Sequence, residues 1–144
     1  MKIDPLKTPI DGLTVEPKQV FTDARGSVMH MLKSSEASFH IGEIYFSTVQ
    51  PGVTKGWKRH SRMTQRFVVP FGEIMFQFED DRPLSLSSGA KFSINLSPHN
   101  YQLITVPPGV WYSFKCVSMT VALIANATDI EHDPLESETR PYKQ

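Results

Sequence analysis

The chain of 144 residues has the length of one ordinary domain, which predicts a single hydrophobic core and one domain over residues 1–144. Fifteen Lys and Arg residues balance fifteen Asp and Glu residues, and this zero net charge disfavours nucleic acid or an anionic membrane as a partner. No apolar run reaches the roughly 18 residues that cross a bilayer, and the polar N-terminus has no signal-peptide core. With only one cysteine, these features predict a cytoplasmic protein.

The order of strand and turn signals predicts an all-β fold. Residues 1–20 hold three prolines and are expected to form an arm or edge strand, because proline cannot donate to a sheet. Residues 27–37 are expected to form a helical turn. Beyond them, short β-branched and aromatic runs alternate with turn signals, over residues 41–49, 66–71, 73–79, 92–96, 101–106 and 117–126. Such runs predict a closed barrel or jelly roll, with residues 129–144 as a tail across the barrel or a neighbouring subunit.

The most informative spacing lies between two glycines. Gly52 is followed after five residues by Lys58, after one more by His60, after four by Gln65 and after six by a second glycine. This spacing resembles the first motif of the cupin superfamily, whose barrel binds a metal through two His and one Glu. The segment 107–112 is similar to the second motif, with Tyr112 at the position of the fourth ligand. Since three of the four expected ligands are replaced, we predict no metal and no cofactor.

Three segments resemble the dTDP-4-dehydrorhamnose 3,5-epimerase family. They are Phe21-Thr-Asp-Ala-Arg-Gly, Pro51-Gly-Val-Thr-Lys-Gly-Trp-Lys and Val106-Pro-Pro-Gly-Val-Trp-Tyr-Ser-Phe. The resemblance implies a metal-free jelly-roll homodimer in which Arg25 and Phe21 help to hold a nucleotide diphosphate. The family's catalytic residues are not retained at the aligned positions. Lys58 stands at the position of the family's base, and the position of its tyrosine acid falls near Ala125 or Asn126. The segment that gives the family an aspartate to orient the base is expected to be missing.

A second family offers a different alignment. The dTDP-4-keto-6-deoxyhexose 3,4-ketoisomerases carry R-G-x-H-x-H-K followed by a Gln and a Gly, and their second His and their Gln fall on His60 and Gln65. Both families bind a nucleotide-linked keto sugar. The resemblance therefore implies this ligand class whichever family is nearer.

Lys58 and His60 stand two apart on a predicted strand, so their side chains share one face, which we expect to be the interior. His60 is the candidate general base because its ordinary pKa lies near neutrality. Lys58 would stabilise an enolate oxygen or a phosphate, Tyr112 would donate a proton or contact the sugar, and Glu43 would be a second acid or base. The candidate substrate-binding residues are Phe21, Arg25, Tyr45, Lys55, Trp57, Gln65, Arg66 and Trp111. Core packing of the aromatic residues and solvent exposure of the basic ones are the alternatives.

These residues predict an epimerase or isomerase of polysaccharide-precursor synthesis that abstracts a proton alpha to a ketone of a dTDP-4-keto-6-deoxyhexose. The alternative is a catalytically degenerate cupin that binds a sugar nucleotide or a partner protein. A third possibility is an oligomeric barrel without a small ligand.

Overall fold

The computed structural model describes residues 6–36 and 40–142, and its strands are numbered here in chain order. One antiparallel sheet has the order β1 (Leu6–Lys7), β2 (Thr14–Pro17), β10 (Gln102–Val106), β7 (Gln65–Phe71), β12 (Ala122–Thr128) and β5 (Glu43–Val49). The other has the order β13 (Ser137–Thr139), β6 (Thr54–His60), β11 (Val110–Cys116), β8 (Ile74–Asp80) and β9 (Lys91–Leu96). No helix among these residues has the length and apolar character needed to cross a membrane.

The two sheets face each other around an aromatic core, which confirms the predicted jelly roll. Phe67 of β7 lies 5.5 Å from Phe76 of β8 and 5.6 Å from Tyr112 of β11, measured between ring centroids. Phe76 in turn stacks on Phe78 at 6.0 Å. Alternate residues of each strand point inward, so the other residues of the same strands face outward.

A two-stranded hairpin lies on the outer face of the six-stranded sheet. Its strands are β3 (Val20–Asp23) and β4 (Gly26–Met29). Val20 and Met29 pack against a second apolar cluster that includes Val68 of β7 and Ala125 of β12. The hairpin therefore sits on the side of the sheet opposite to the aromatic core.

The hairpin shows that the helical turn expected at residues 27–37 is wrong. Val28 and Met29 pair with Phe21 and Val20 in the β3–β4 ladder. Branched and long apolar side chains suit a strand that packs on a sheet, and this packing outweighs the turn signal of the nearby serines. Residue 37, at the end of the expected turn, lies outside the described residues.

The C-terminal tail follows one edge of the five-stranded sheet. A 3-10 helix, Pro134–Glu136, leads into β13, which pairs with β6 through Ser137 opposite His60. The backbone N–H of Ser61 donates to the carbonyl oxygen of Glu136 at 2.8 Å. The tail thus lies against the end of the barrel at which β6 and β12 end and β5, β7 and β11 begin.

Truncating a core ring tests the packing of the two sheets. Phe76 is fully buried, so Phe76→Ala is expected to reduce the free energy of unfolding by about 3–5 kcal/mol through lost contacts and a cavity. Urea unfolding at fixed protein concentration measures the change. Leu86→Ala is the matched control, because the Leu86 side chain is fully exposed. A loss for Phe76→Ala no larger than that of the control would contradict the core assignment.

Candidate active site

Four polar side chains form a hydrogen-bonded chain inside the barrel. The Nδ1–H of His60 donates to Oε1 of Glu136, and Nε2 of His60 lies 3.3 Å from the hydroxyl of Tyr112. Nε2 of Gln65 donates to the same hydroxyl oxygen at 3.2 Å. Each of these residues is no more than 5 % exposed. Because buried polar groups are costly unless they are hydrogen-bonded, this chain fixes all four side chains in one arrangement.

Glu136 reaches this position from the tail. Asp133 caps the 3-10 helix by accepting a hydrogen bond from the backbone N–H of Leu135 at 3.0 Å. The second carboxylate oxygen, Oε2 of Glu136, accepts from the backbone N–H groups of Arg62 at 2.9 Å and Met63 at 3.1 Å. Burial alone would raise the pKa of Glu136, but the hydrogen bonds from His60 and from these N–H groups bring it below its ordinary value. Glu136 is therefore an anion that orients the imidazole.

The imidazole of His60 has the protonation state of a base. Burial lowers its pKa below the ordinary value, and Glu136 opposes that shift while the charge of Lys58 adds to it. Since Nδ1 carries the hydrogen that Glu136 accepts, the lone pair of the neutral ring is on Nε2. At neutral pH, Nε2 can accept a proton, and Glu136 can stabilise the imidazolium that forms.

Tyr112 stands between His60 and the aromatic core. Burial raises the pKa of its phenol, so the group stays protonated at neutral pH. Its oxygen accepts from Gln65, and its hydrogen is directed to Nε2 of His60. The expectation that Tyr112 and Gln65 lie beside His60 agrees with this placement.

Tyr45 and Asn126 form a second polar pair, on the facing sheet. They are cross-strand partners on β5 and β12, and Nδ2 of Asn126 donates to the hydroxyl oxygen of Tyr45 at 3.1 Å. Oδ1 of Asn126 accepts from the backbone N–H of Arg66 at 3.3 Å, which fixes the orientation of the amide. Tyr45 is half-buried, so this pair lies where the interior meets solvent.

Lys58 and Glu43 lie at the edge of this region. Lys58 is opposite Tyr112 in the β6–β11 ladder, shares its inward face and is half-buried. Glu43 is on the same face of β5 as Tyr45, but its Oε1 accepts from the backbone N–H of His132 at 2.8 Å. Lys58 is thus placed to act with His60, whereas Glu43 holds the tail.

The two tryptophans point away from His60. Trp57 and Trp111 lie on the outer face of the five-stranded sheet, and the guanidinium of Arg140 lies 4.6 Å from the ring centroid of each. Trp57 is an extra residue where the β6–β11 register shifts between Tyr112 and Ser113. Their cation–π contacts hold the tail on the sheet.

The basic residues expected to bind substrate are dispersed. Lys55 is exposed, and its Nζ donates to the carbonyl oxygen of Thr48 at 2.7 Å. Arg66 alternates with Gln65 on β7 and so takes the outer face. Arg25 and Phe21 belong to the β3–β4 hairpin, where they line an open cleft of about 490 Å³ and the Arg25 side chain is 90 % exposed. Phe21, Arg25 and Arg66 therefore lie away from His60, whereas Lys55, opposite Phe114 in the β6–β11 ladder, is on the same face of its sheet as Tyr112 but farther along the strand.

The donor set does not suit a metal ion. At the positions of the cupin ligands the chain places an amine, an amide and a phenol, from Lys58, Gln65 and Tyr112, beside the single imidazole of His60. An ammonium group opposes a nearby cation, and a neutral amide and a protonated phenol are poor ligands. Within the described ranges, no group of three or more His, Cys, Asp or Glu side chains could hold an ion.

Glu136 is a site residue that was not expected from the sequence. The family's longer C-terminal segment with its aspartate was expected to be missing, and the structure shows that the short tail nevertheless places a different carboxylate, that of Glu136, on His60. The signal was present, because Asp133-Pro134-Leu135-Glu136 combines a capping residue, a helix-starting proline and an acidic residue three positions after the cap. The sequence alone did not show which residue the carboxylate would contact.

The chain matches, over residues 21–135, the family model described as polysaccharide biosynthesis C-terminal domain. It is 30 % identical over 138 residues to a probable low-salt glycan biosynthesis epimerase of Haloferax volcanii, covering 92 % of this chain and 88 % of that protein. These matches agree with the predicted link to polysaccharide-precursor epimerases.

Solved structures show the same fold. The crystal structure of a dTDP sugar isomerase from Desulfovibrio desulfuricans G20 has a TM-score of 0.90 and 42 % identity, covering 97 % of this chain and 88 % of that one. A dTDP-6-deoxy-D-glucose-3,5-epimerase from Legionella pneumophila, in complex with dTDP-4-keto-L-rhamnose, has a TM-score of 0.86 at 22 % identity and covers 96 % and 78 %. The resemblance to the 3,5-epimerase fold family is thereby confirmed.

Removing the charge of Glu136 is expected to lower the pKa of His60. The carboxylate favours the imidazolium, so Glu136→Gln leaves burial and Lys58 to shift the pKa further down. Titration of the His60 ring protons by NMR measures the shift. Glu138→Gln is the control, because the Glu138 side chain is 62 % exposed and pairs with Arg59. An unchanged pKa in Glu136→Gln would show that the carboxylate does not act on the imidazole.

Proposed function

Because the chain belongs to the polysaccharide biosynthesis C-terminal domain family, we propose that it acts on a dTDP-4-keto-6-deoxyhexose as an epimerase or isomerase. One observation carries this proposal: a buried His–Glu pair presents the lone pair of His60 Nε2 beside the hydroxyl of Tyr112 and on the face of Lys58. This arrangement is suited to removing a proton from a carbon next to a ketone.

The reaction begins with His60. A ketone makes the adjacent C–H acidic because the electron pair left on carbon moves to the ketone oxygen, giving an enolate. Nε2 of His60 accepts the proton, and Glu136 stabilises the imidazolium through Nδ1–H. The hydroxyl hydrogen of Tyr112 turns from Nε2 of His60 to the enolate oxygen. The ammonium group of Lys58 adds a positive charge near the same oxygen.

Both related reactions share this first step. An epimerase returns a proton to the same carbon from the opposite face. A 3,4-ketoisomerase instead protonates the former carbonyl carbon, while the hydroxyl on the neighbouring carbon gives up its proton and becomes the new ketone. The similarity to a dTDP sugar isomerase at 42 % identity supports the isomerase form, and the glycan biosynthesis epimerase of H. volcanii supports the epimerase form. The dTDP-4-keto-L-rhamnose bound to the Legionella relative supports the ligand class.

A binding module without turnover is the second candidate. It is favoured by the burial of His60 and Tyr112, which are 4 % and 5 % exposed, because a substrate must enter past the half-buried residues Tyr45 and Lys58 to reach them. Such a module would bind the sugar nucleotide without exchanging its protons with solvent.

We also propose that the protein is a cytoplasmic homodimer. Strand β5 is an edge of its sheet within the described residues, and Ile44 and Phe46 on its outer face are 53 % and 66 % exposed. An open edge with apolar side chains is suited to pairing with a second copy. Arg25 and Phe21 lie on the outside of the barrel, so in a dimer they can reach the nucleotide bound in the partner's site. The lone cysteine supports a reducing compartment.

Replacing His60 tests the proposed base. In deuterated water, wild-type protein is expected to introduce deuterium next to the ketone of dTDP-4-keto-6-deoxyglucose, and His60→Asn is expected to slow this exchange by about 100-fold or more. Mass spectrometry of the recovered sugar measures it. His99→Asn makes the same change at an exposed turn and should exchange like wild type.

Three outcomes separate the candidates. Undiminished exchange in His60→Asn would reject His60 as the base. If wild type binds dTDP-sugars in calorimetry but shows no exchange, the protein is a binding module. If it neither binds nor exchanges, the ligand class is wrong.

A charge at the apolar edge is expected to separate the dimer. Phe46→Asp should convert a species of twice 16.3 kDa into the 16.3 kDa monomer, because an aspartate buried between two copies has no partner. Light scattering after size-exclusion chromatography measures the mass. Leu86→Asp places the same charge at a fully exposed loop position and should remain dimeric. A monomeric wild type would contradict the proposed dimer.

A further inference from the structure

Aromatic rings and guanidinium groups alternate in a stack on the outer face of the five-stranded sheet, called here the outer stack. Its members, in spatial order, are Tyr142, Trp57, Arg140, Trp111 and Arg59. The rings of Tyr142 and Trp57 stack at 6.0 Å between centroids. In each guanidinium–indole contact the guanidinium carbon lies 4.6 Å from the ring centroid. Arg140 is the central member and lies between the two indoles.

The outer stack lies directly behind residues of the candidate active site. On β6, Trp57 and Arg59 flank Lys58. On β11, Trp111 precedes Tyr112. Neighbouring side chains of a strand point to opposite faces of a sheet. The outer stack therefore holds, from the outside, the two strands that carry the site on the inside.

The tail that carries Glu136 has few means of its own to stay on the barrel. Within residues 131–142 only Glu136 is buried, and the apolar side chain of Leu135 is 94 % exposed. Burying a carboxylate costs free energy before its hydrogen bonds are formed, so the charge of Glu136 does not drive the tail inward. Between residue 131 and the 3-10 helix, the hydrogen bonds that join the tail to the barrel are exposed, and exposed ion pairs contribute little.

Arg140 holds the tail on the other side of Glu136. Its backbone N–H donates to the carbonyl oxygen of Trp57 at 3.1 Å, and its carbonyl oxygen accepts from the N–H of Trp57 at 3.2 Å. Its guanidinium lies between the indoles, and Nη2 donates to Oε2 of Glu79 on β8. Arg140 thus connects the tail to β6, β11 and β8.

We propose that Arg140 is a positioning residue that, from the outer face of the sheet, keeps the carboxylate of Glu136 on His60. The residues between them, Ser137–Thr139, are extended and pair with β6, so fixing Arg140 restricts where Glu136 can lie. Without the guanidinium, the tail would fray from its end toward Glu136. The catalytic meaning of this inference rests on the proposed function, whereas the placement of the carboxylate can be measured without substrate.

Proton NMR of the substrate-free protein tests the placement. The His60 Nδ1–H is expected to give a far-downfield signal in wild type, because a hydrogen held by a buried carboxylate is deshielded and protected from solvent. Arg140→Met keeps a long side chain without the guanidinium and should lose this signal, as Glu136→Gln should. Lys91→Met is the matched control: Lys91 also pairs with Glu79, at 3.5 Å, but belongs to β9, so the signal should remain.

Deuterium exchange into dTDP-4-keto-6-deoxyglucose tests the consequence for the base. Arg140→Met is expected to slow exchange by about 10-fold or more, because a displaced carboxylate no longer orients the imidazole. Lys91→Met should exchange like wild type. The double variant Arg140→Met/Glu136→Gln should exchange within a few-fold of the slower single variant, since both changes act through one contact, whereas independent effects would multiply.

The two measurements separate this inference from the proposed function. If wild type shows the signal but no exchange, the proposed function fails, and the signal in Arg140→Met still decides the role of Arg140. The inference is overturned if folded Arg140→Met keeps the signal, or if the losses in the double variant multiply. Arg140→Gln gives the same comparison if the methionine variant does not fold.

Discussion

The contact between Glu136 and His60 is the constraint on which the site depends. It places a carboxylate from the C-terminal tail inside a barrel whose core is otherwise lined by aromatic rings such as Phe67 and Phe76. A buried charge is tolerated only when its oxygens are satisfied, and here one oxygen has the imidazole and the other has two backbone N–H groups. The tail must therefore be in place before the imidazole has its reactive form.

The surroundings of this pair make its charges effective. The low dielectric constant around the buried His60 and Tyr112 strengthens each hydrogen bond. Burial also lowers the pKa of His60 and raises that of Tyr112, so both groups are neutral at physiological pH. Solvent approaches through Tyr45 and Lys58, which are half-buried. The base therefore lies in a water-poor interior beside a more solvated rim, and a single strand pair, β6 and β11, supplies the base and both groups proposed to act on the enolate oxygen, Lys58 and Tyr112.

Local sequence patterns predicted the fold and part of the site. The rest of the site depends on contacts between residues far apart in the chain, which local patterns do not show. The jelly roll followed from short strands and turns, and the two-residue spacing of Lys58 and His60 correctly gave them one face. Gln65 and Arg66 are neighbours on β7, so the same alternation puts their side chains on opposite faces of the sheet. The sequence therefore already allowed only one of the two to face the interior. Glu136 lies 76 residues from His60 in the chain, and no local pattern reports such a pairing. Departures from a relative's motif showed which residues had been replaced, but not which other residues take over their roles.

The contacts of Arg140 make tryptophan fluorescence sensitive to the position of the tail. Its guanidinium lies over both Trp57 and Trp111, and these are the two tryptophans of the chain. The tail segment that ends at this arginine begins at the carboxylate on His60, so lifting it from the sheet would remove Arg140 from both indoles at once, leaving Trp111 with Arg59 of β6, whose guanidinium also lies 4.6 Å from its ring centroid. The intrinsic fluorescence of the protein consequently reports whether the imidazole still has its counter-ion, without any added probe.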